Sequence, residues 1–405
     1  MTRPIRTLLF STLYPSAARP IHGIFVETRL RELLAGGAVQ TRVVAPVPWF
    51  PFENPRWGEY ARMARTPLRE QRHGIEVIHP RYVLIPKVSM TMAPLLLALA
   101  CLRPVRRLVE EGFDFDLIDA HYFYPDGVAA ALLARHFRKP LAITARGSDI
   151  NLIADHALAR RMMLWAARSA DECIGVSQHL VDRMKALGIP VSRLRMMRNG
   201  VDLNLFRPLD RTAARAKIGI EGDPLLLSVG NLLPLKGHDV CIDALAHLLP
   251  DYPGAGLVIA GAGPEAENLT LHARRRGVDE RVHLVGAISH ADLAHWYNAA
   301  DLLLLASSRE GWPNVVLEAM ACGTPVIGSA VGGIPEIMGR GQAGRLVTSR
   351  DGVAFAGAVR EQLRAGIDRA TVRRYAEAFG WDPTTQAQIE LFTRLASRAE
   401  SGVGA

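Results

Sequence analysis

The stretch that decides the fold is Glu310-Gly311-Trp312-Pro313-Asn314-Val315-Val316-Leu317-Glu318. The short apolar run at 301–305 before it predicts a buried parallel strand. Pro313 stands where a helix can begin, because its fixed φ and missing N–H do no harm there. Gly323 and Pro325 end that helix. The stretch therefore predicts a strand, a loop and a helix, the unit from which doubly wound sheets are built.

Two glutamates flank the start of this helix. Glu310 lies in the loop at the carboxyl end of the strand, and Glu318 lies about two turns along the helix. Between them, the N–H groups of Asn314 and Val315 have no intrahelical partner and carry positive partial charge. Such a site suits a ligand that is a diphosphate in the middle and polyhydroxyl at both ends. The alternative is two unrelated surface acids.

Composition sets wide limits on the protein class. The 405 residues suffice for two ordinary domains, and no region has a disordered composition. The net charge of +8 fits nucleic acid, an anionic membrane surface or an anionic substrate, and does not choose among them. No aromatic-interleaved basic motif supports a nucleic-acid partner.

Cysteine usage and hydropathy indicate a reducing compartment. The four cysteines are scattered without a Cys-x-x-Cys pair, which favours small buried residues over disulfides or a zinc site. The apolar core at 8–10 is too short for a signal peptide, and the uncharged run at 88–102 is too short to span a bilayer. These features predict a cytoplasmic location.

Strand and helix patterns alternate along the whole chain, which predicts parallel, doubly wound sheets. Predicted strands end at 11, 120, 144 and 197, and the pattern restarts at 225 after a polar stretch, 207–223, interpreted as a linker. The loops after these strands carry the first-half candidates for a ligand site, namely Gly23, His121, Arg146, Asp149 and Asn199.

Residues 56–107 form a basic region with ten Arg or Lys and three Glu. Within it, the apolar run 90–102 is followed by Arg103, Arg106 and Arg107. A basic amphipathic segment can lie on an anionic bilayer, which would make the protein peripheral on the inner face of the membrane. A solvated helix packed on its own domain is the alternative.

The 310–318 block resembles the Glu-x7-Glu motif of the retaining family 4 glycosyltransferases almost letter for letter. The resemblance covers essentially the whole chain and is stronger in the second half. Further matching segments are Gly23-Ile24-Phe25-Val26-Glu27, His121 with Pro125-Asp126-Gly127, Asn199-Gly200-Val201-Asp202-Leu203-Asn204, Ser228-Val229-Gly230-Asn231-Leu232-Leu233-Pro234-Leu235-Lys236-Gly237 and Gly261-Ala262-Gly263-Pro264.

The resemblance implies a GT-B architecture, an α/β fold of two Rossmann-like domains facing a central cleft. The expected parts are an acceptor-binding domain at 1–206, a nucleotide-sugar-binding domain at 207–380, and a carboxyl-terminal helix at 381–405 that crosses back to the first domain. Asp114-Phe115-Asp116 matches a metal motif of another glycosyltransferase class, but it opens a strand and is interpreted as chance.

The resemblance also implies site residues. His121 would face the reacting centre, Lys236 and helix N–H groups would stabilise the departing diphosphate, Glu310 would hold sugar hydroxyls and Glu318 the ribose. The expected catalytic residues are His121, Lys236 and Glu310. The expected donor-binding residues are Gly23, Asn231, Lys236, Glu310, Gly311, Asn314, Val315 and Glu318. Further candidates are Arg146, Asp149, Asn199, Gly263 and Ala287.

The implied activity is retaining transfer of a sugar from a UDP- or GDP-linked donor to a glycan or lipid-linked acceptor, in the synthesis of bacterial surface polysaccharide. Neither a metal nor a cofactor is expected, and no protein nucleophile is assigned because the leaving phosphate would act as base. A sugar-nucleotide epimerase of related fold is the alternative. Two departures stand out: Asn231 replaces an Arg that often accompanies the family's Lys, and Arg146 replaces a common His.

Overall fold

The computed structural model describes residues 3–83, 91–339, 341–366 and 368–400. The chain divides into two compact units, one formed by Met1–Arg198 with Asp382–Ala405 and the other by Asn199–Trp381. We call them the first and the second unit. Their division falls after 198 and 381, whereas the sequence placed domain boundaries after 206 and 380.

Sixteen strands are present in the described residues. They are β1 Ile5–Phe10, β2 Val39–Val44, β3 Val47–Pro48, β4 Arg69–Arg72, β5 Ile75–Ile78, β6 Arg81–Tyr82, β7 Leu117–His121, β8 Leu141–Ala145, β9 Glu172–Gly175, β10 Leu194–Met196, β11 Leu225–Val229, β12 Gly256–Ala260, β13 Val282–Gly286, β14 Leu302–Leu305, β15 Val326–Ser329 and β16 Gly344–Val347.

Sixteen α-helices accompany these strands in the same part of the chain. They are α1 Ile24–Ala35, α2 Glu59–Ala64, α3 Ala93–Glu110, α4 Val128–Phe137, α5 Ser148–Asn151, α6 Ala157–Ser169, α7 Gln178–Ala186, α8 Arg211–Ile218, α9 His238–Leu248, α10 Ala266–Arg275, α11 Leu293–Ala299, α12 Asn314–Ala321, α13 Ile334–Met338, α14 Gly352–Ala365, α15 Arg369–Ala376 and α16 Asp382–Glu400. None of these described helices is both long enough and apolar enough to cross a bilayer.

The first unit is built on an eight-stranded sheet in the order β10-β9-β8-β7-β1-β2-β5-β4. Its pairs are parallel except the β4–β5 hairpin. Every residue of β7 and β8 is buried, as expected for strands covered by helices on both faces. The last helix, α16, completes this unit, because Leu391, Phe392 and Leu395 share a core with Leu9 and Val26.

The second unit has a six-stranded, wholly parallel sheet in the order β13-β12-β11-β14-β15-β16. Strand order reverses between β11 and β14. In open parallel sheets, ligands bind at the carboxyl ends of the strands where the order reverses. Strand β14 is completely buried, as its run of leucines predicts. The predicted doubly wound α/β class is confirmed in both units.

The predicted linker at 207–223 is wrong, because it folds as part of the second unit. Its centre is α8, whose amino end is capped by the Asp210 side chain accepting from the Ala213 N–H at 3.0 Å. Arg215 on α8 donates to Asp301 at 2.8 Å, and Ala214 is buried. The stretch looks polar because α8 exposes one face and packs the other against α11.

The basic region contains α3, which packs into the first unit. Leu97, Cys101 and Val105 on one face of the helix are buried, whereas Leu95 and Leu99 on the opposite face are exposed. The helix is therefore packed on its own unit along one side. Its exposed positions include these two leucines in its first half and Arg103, Arg106 and Arg107 in its second half. Residues 84–90 lie outside the described residues, so the structure describes the predicted apolar run from position 91 onward.

Candidate active site

A lysine–glutamate pair lies at the strand switch of the second unit. Lys236 belongs to a short 3₁₀ turn after β11, Pro234–Lys236, which we call the lysine turn. Its Nζ donates to Glu310 Oε1 at 2.6 Å, and Ser307 Oγ donates to the same oxygen at 2.7 Å. Within the described part of the chain, both donors contact Oε1. The other carboxylate oxygen, Oε2, is therefore the one available to a ligand. Glu310 is 9% exposed.

Arg350 clamps the lysine turn to the loop that follows β14. Its Nε donates to the Ala306 carbonyl at 2.6 Å, and a terminal nitrogen donates to the Pro234 carbonyl at 3.1 Å. The Ser308 N–H adds a bond to the Leu235 carbonyl at 2.8 Å. Two segments far apart in sequence are therefore fixed against each other, which sets the position of the lysine–glutamate pair.

Helix α12, which belongs to the 310–318 block, begins as predicted, with Pro313 at its N-cap. Its first N–H groups, including those of Asn314 and Val315, have no intrahelical partner. The Trp312 indole donates to the Asn199 carbonyl at 3.0 Å, and the Asn199 amide donates to Asn314 Oδ1 at 3.3 Å. Asn199 thus supports the helix start.

Glu318 lies further along α12 and is 6% exposed. The Tyr297 hydroxyl donates to its Oε2 at 2.8 Å, and His290 Nε2 lies 3.1 Å from its Oε1. Burial and the adjacent carboxylate raise the pKa of Tyr297 well above its ordinary value, so this hydroxyl remains a donor. Neither partner was predicted, because they precede Glu318 by 21 and 28 residues and belong to no motif.

The loop after β15 contacts the loop that carries Glu310, and glycines make this close approach possible. Gly332 has φ of +56°, and a Cβ there would lie 2.0 Å from the Glu310 carbonyl oxygen. A Cβ on Gly333 would lie 2.4 Å from the Gly311 carbonyl oxygen. The two loops therefore touch through their backbones, and a side chain at Gly332 would displace Glu310.

The remaining second-unit candidates lie at the same edge of the sheet. Asn231 is exposed just after β11, and Ala287 is exposed just after β13. Gly263 follows β12, with its backbone against the Leu232 carbonyl. The structure therefore gathers the predicted donor residues of this unit at the carboxyl ends of its strands.

The first-unit candidates follow three adjacent strands, β1, β7 and β8. Gly23 caps α1 in the left-handed conformation with φ of +62°, and a Cβ there would lie 1.6 Å from the Leu13 carbonyl oxygen. His121 ends β7, and Arg146 follows β8. The Arg146 guanidinium lies 5.3 Å from the centre of the Phe25 ring at the start of α1.

His121 is 1% exposed, and both of its ring nitrogens have partners. Nε2 lies 3.0 Å from Asp119 Oδ2, and a guanidinium nitrogen of Arg146 donates to Nδ1. Burial lowers the pKa of His121 to about 4, with Asp119 opposing and Arg146 reinforcing the shift. The ring is therefore neutral at pH 7.

Asp149 is fully buried, and its carboxylate accepts hydrogen bonds from the backbone of neighbouring loops. Its carboxylate accepts from the N–H groups of Phe123 at 2.8 Å, Gly147 at 2.8 Å and Arg146 at 3.1 Å. Burial raises the pKa of Asp149, and these backbone donors oppose the shift. The geometry is that of a group that orders the loop after β8.

Asp114 and Asp116 lie before β7, at the amino edge of the sheet. Asp116 accepts from Arg3 at 2.8 Å, and Asp114 accepts from Lys139 at 2.7 Å. Among the described residues, no group of three or more His, Cys, Asp or Glu side chains is arranged to hold a metal.

Comparison with known families matches the chain in two parts. Residues 60–205 match the family described as Glycosyltransferase Family 4. Residues 210–379 match the family described as Glycosyl transferases group 1.

Relatives of known name are similar to the chain over most of its length. The D-inositol 3-phosphate glycosyltransferase 1 of Catenulispora acidiphila is 33% identical over 322 residues, which are 72% of this chain and 74% of that protein. The D-inositol 3-phosphate glycosyltransferase of Streptomyces bingchenggensis is 32% identical over 69% of this chain and 66% of that protein.

Solved structures share the fold. Sucrose-phosphate synthase from Thermosynechococcus elongatus superposes with a TM-score of 0.79 at 22% identity, covering 98% of this chain and 100% of that chain. HepE of Anabaena in complex with UDP and glucose gives a TM-score of 0.74 at 21% identity, covering 96% and 100%. The chain therefore belongs to the GT-B glycosyltransferases that join a family 4 first domain to a group 1 second domain.

Proposed function

We propose that the protein is a retaining glycosyltransferase that takes its sugar from a nucleoside diphosphate sugar. The observation that carries this proposal is the Lys236–Glu310 pair, 2.6 Å apart, at the strand switch beside the amino end of α12. A cation and unpaired helix N–H groups suit the diphosphate, and carboxylates suit the hydroxyls on either side of it.

Each group then has a task in the transfer. The bond from the anomeric carbon to the β-phosphate oxygen breaks, the acceptor oxygen bonds to that carbon, and the acceptor proton passes to the departing phosphate. Lys236 and the N–H groups of Asn314 and Val315 stabilise the charge on the leaving group. Glu310 Oε2 binds the transferred sugar, and Glu318 binds the ribose.

The donor and acceptor are proposed by class. The donor nucleoside is uridine or guanosine, and uridine has the support that HepE was solved with UDP and with UDP-glucose. The acceptor is a glycan or lipid-linked glycan of the cell surface, bound by the first unit. The names of the relatives add inositol 3-phosphate to the acceptors to be tested.

We also propose that transfer needs no divalent metal, because Lys236 and helix N–H groups meet the diphosphate charge. Activity should persist in excess EDTA. Complete loss that Mg²⁺ or Mn²⁺ restores would overturn this part of the proposal.

An anionic membrane is the proposed docking surface. Three aromatic side chains between β3 and α2 are strongly exposed: Trp49 (54%), Phe52 (53%) and Trp57 (42%). The rings of Phe52 and Trp57 stack at 5.9 Å. The Arg56 guanidinium lies 5.2 Å from the centre of the Trp57 ring. Exposed aromatic rings beside an arginine favour the interface of an anionic bilayer.

Vesicle co-sedimentation tests the docking. Binding should require anionic lipid, fall with salt, and fall in an Arg103, Arg106, Arg107 triple Ala variant and in a Trp49, Trp57 double Ala variant. Equal sedimentation of both variants and wild type would contradict it.

A product assay tests the activity. Purified protein is incubated with UDP- or GDP-sugars and candidate acceptors, and NMR determines the anomeric configuration of the product. We expect nucleoside diphosphate release only with an acceptor, and retained configuration. Release or sugar interconversion without acceptor would instead support an epimerase, and an inverted product would overturn the retaining mechanism.

A further inference from the structure

The candidate catalytic histidine is more deeply buried than its neighbour Arg146. His121 is 1% exposed, whereas Arg146 is partly exposed. A carboxylate only accepts and a guanidinium only donates, so the contacts with Asp119 and Arg146 place the ring proton on Nε2 and leave Nδ1 as the acceptor. The imidazole is thus engaged on both sides.

A buried chain of hydrogen bonds extends from this histidine to the last helix. Asp119 Oδ2 also accepts from Gln388 Nε2 of α16 at 3.3 Å. Gln388 Oε1 accepts from Arg29 Nε of α1 at 3.0 Å. Because arginine only donates, it fixes which end of the Gln388 amide faces Asp119. Arg29, Asp119 and Gln388 are each 2% exposed.

The ionisation of Asp119 supports the same position of the His121 ring proton, on Nε2. Burial alone would raise the pKa of Asp119, but His121 and Arg29 hold it below its ordinary value. Asp119 therefore remains a carboxylate, which keeps the proton on Nε2 of the neutral ring. Burial lowers the pKa of Arg146 to about 9, so the guanidinium stays charged at pH 7.

We propose that His121 is a positioning residue, held in its Nε2–H form by Asp119, Gln388 and Arg29, and that Arg146 is the side chain it presents to the ligand. Arg146 stands at the carboxyl edge of the sheet, over Phe25, where a guanidinium suits a phosphate or carboxylate oxygen. The proposal rests on the proposed glycosyltransferase activity for its kinetic arm only.

The kinetic arm is a double-mutant cycle. Arg146→Lys and His121→Ala should each lower kcat/KM by about tenfold or more, as for a charged hydrogen bond. The double variant should be no worse than the poorer single variant, because both remove one interaction. Losses that multiply would show that His121 acts on the substrate independently and would overturn the proposal.

A second comparison locates the ligand oxygen. Titration of Arg146→Lys with nucleoside diphosphate reports a donor phosphate, and its KM for the acceptor reports an acceptor oxyanion. A change in either quantity supports the proposal, and a change in neither overturns it.

The spectroscopic arm needs no activity, so it separates failure of this proposal from failure of the proposed function. Two-bond ¹H–¹⁵N correlations, with the His121 signals identified by their loss in His121→Asn, should show a neutral Nε2–H ring from pH 6 to 8. Gln388→Leu should shift these signals, whereas Gln386→Leu, on the exposed face of the same helix, should not. A protonated or Nδ1–H ring in the wild type would overturn the proposal.

Discussion

Replacing the two site glutamates one at a time should separate nucleotide binding from sugar binding. Glu318→Ala removes the proposed ribose contact, which every form of the donor carries, and should weaken nucleoside diphosphate and intact donor alike. Glu310→Ala removes the proposed sugar contact, and should weaken only the intact donor and lower kcat. The second variant also releases Lys236 Nζ, now 2.6 Å from Glu310, so affinity for the bare diphosphate should not fall.

The magnitudes follow from charged hydrogen bonds. Each is worth about 1.5–3 kcal/mol, so each affected affinity should fall about tenfold or more. Glu318→Ala also leaves the buried Tyr297 hydroxyl without its acceptor, which costs about 1–3 kcal/mol of stability. Glu318→Gln keeps an oxygen that can accept from the Tyr297 hydroxyl, so it is the matched control for this loss of stability.

Calorimetric titration of the two Ala variants with UDP and with UDP-sugar measures the four affinities, and the same titrations of wild type and Glu318→Gln give the references. Thermal unfolding of the same samples separates lost contacts from lost folding. If Glu310→Ala weakens UDP as much as UDP-sugar, the assigned roles are wrong.

Three further predictions concern positions around these sites. Arg350→Ala, and equally Arg350→Lys, should lower kcat/KM by about tenfold to a hundredfold, because neither keeps the two-carbonyl clamp; unchanged kinetics would contradict it. Burial raises the pKa of Asp126 from 3.8 to about 7, so its contribution to stability is present below pH 4 and is lost as pH rises to 7; the melting temperature of Asp126→Asn relative to wild type should rise over that range. Gly332→Ala should impair transfer by displacing the loop that carries Glu310. Gly366→Ala should affect only stability, because Gly366 has φ of +60° but a Cβ added there would meet no other described residue within 4 Å, its chain neighbours aside.

The strands and helices of the second unit could be predicted closely from sequence, since they are buried runs with glycine and proline at their ends. The strand predicted at 301–305 is present as β14, Leu302–Leu305, and α12 begins at Asn314 after its proline cap. The polar stretch 207–223 could not be predicted, because its partners are distant in sequence. Asn298 accepts from the Leu209 N–H before α8, and Asp301 accepts from Arg215 on α8, so both partners lie about ninety residues further along the chain.

The site residues divide in the same way. The motifs contain Glu310, Glu318 and Lys236. They do not contain Tyr297, which binds Glu318, or Arg350, which binds the carbonyls of Ala306 and Pro234. Gln388, which binds Asp119, also lies outside every motif. Those partners act through hydrogen bonds that join distant segments, and a single sequence gives no signal for such a pairing. The hydrogen-bond partners of the motif residues can therefore be identified only from the structure.

Asn231 shows how such a pairing bears on function. The family resemblance implies an arginine at position 231, where this chain has Asn231, and Lys236 is paired with Glu310. Opposite charges so close attract a distant diphosphate weakly, because their fields largely cancel. Under the proposed roles, a sugar that engages Glu310 loosens its hold on Lys236, and the lysine then turns to the phosphate. Sugar recognition and phosphate recognition would thus be coupled through one ion pair, which is why the two glutamates must be tested with both ligands.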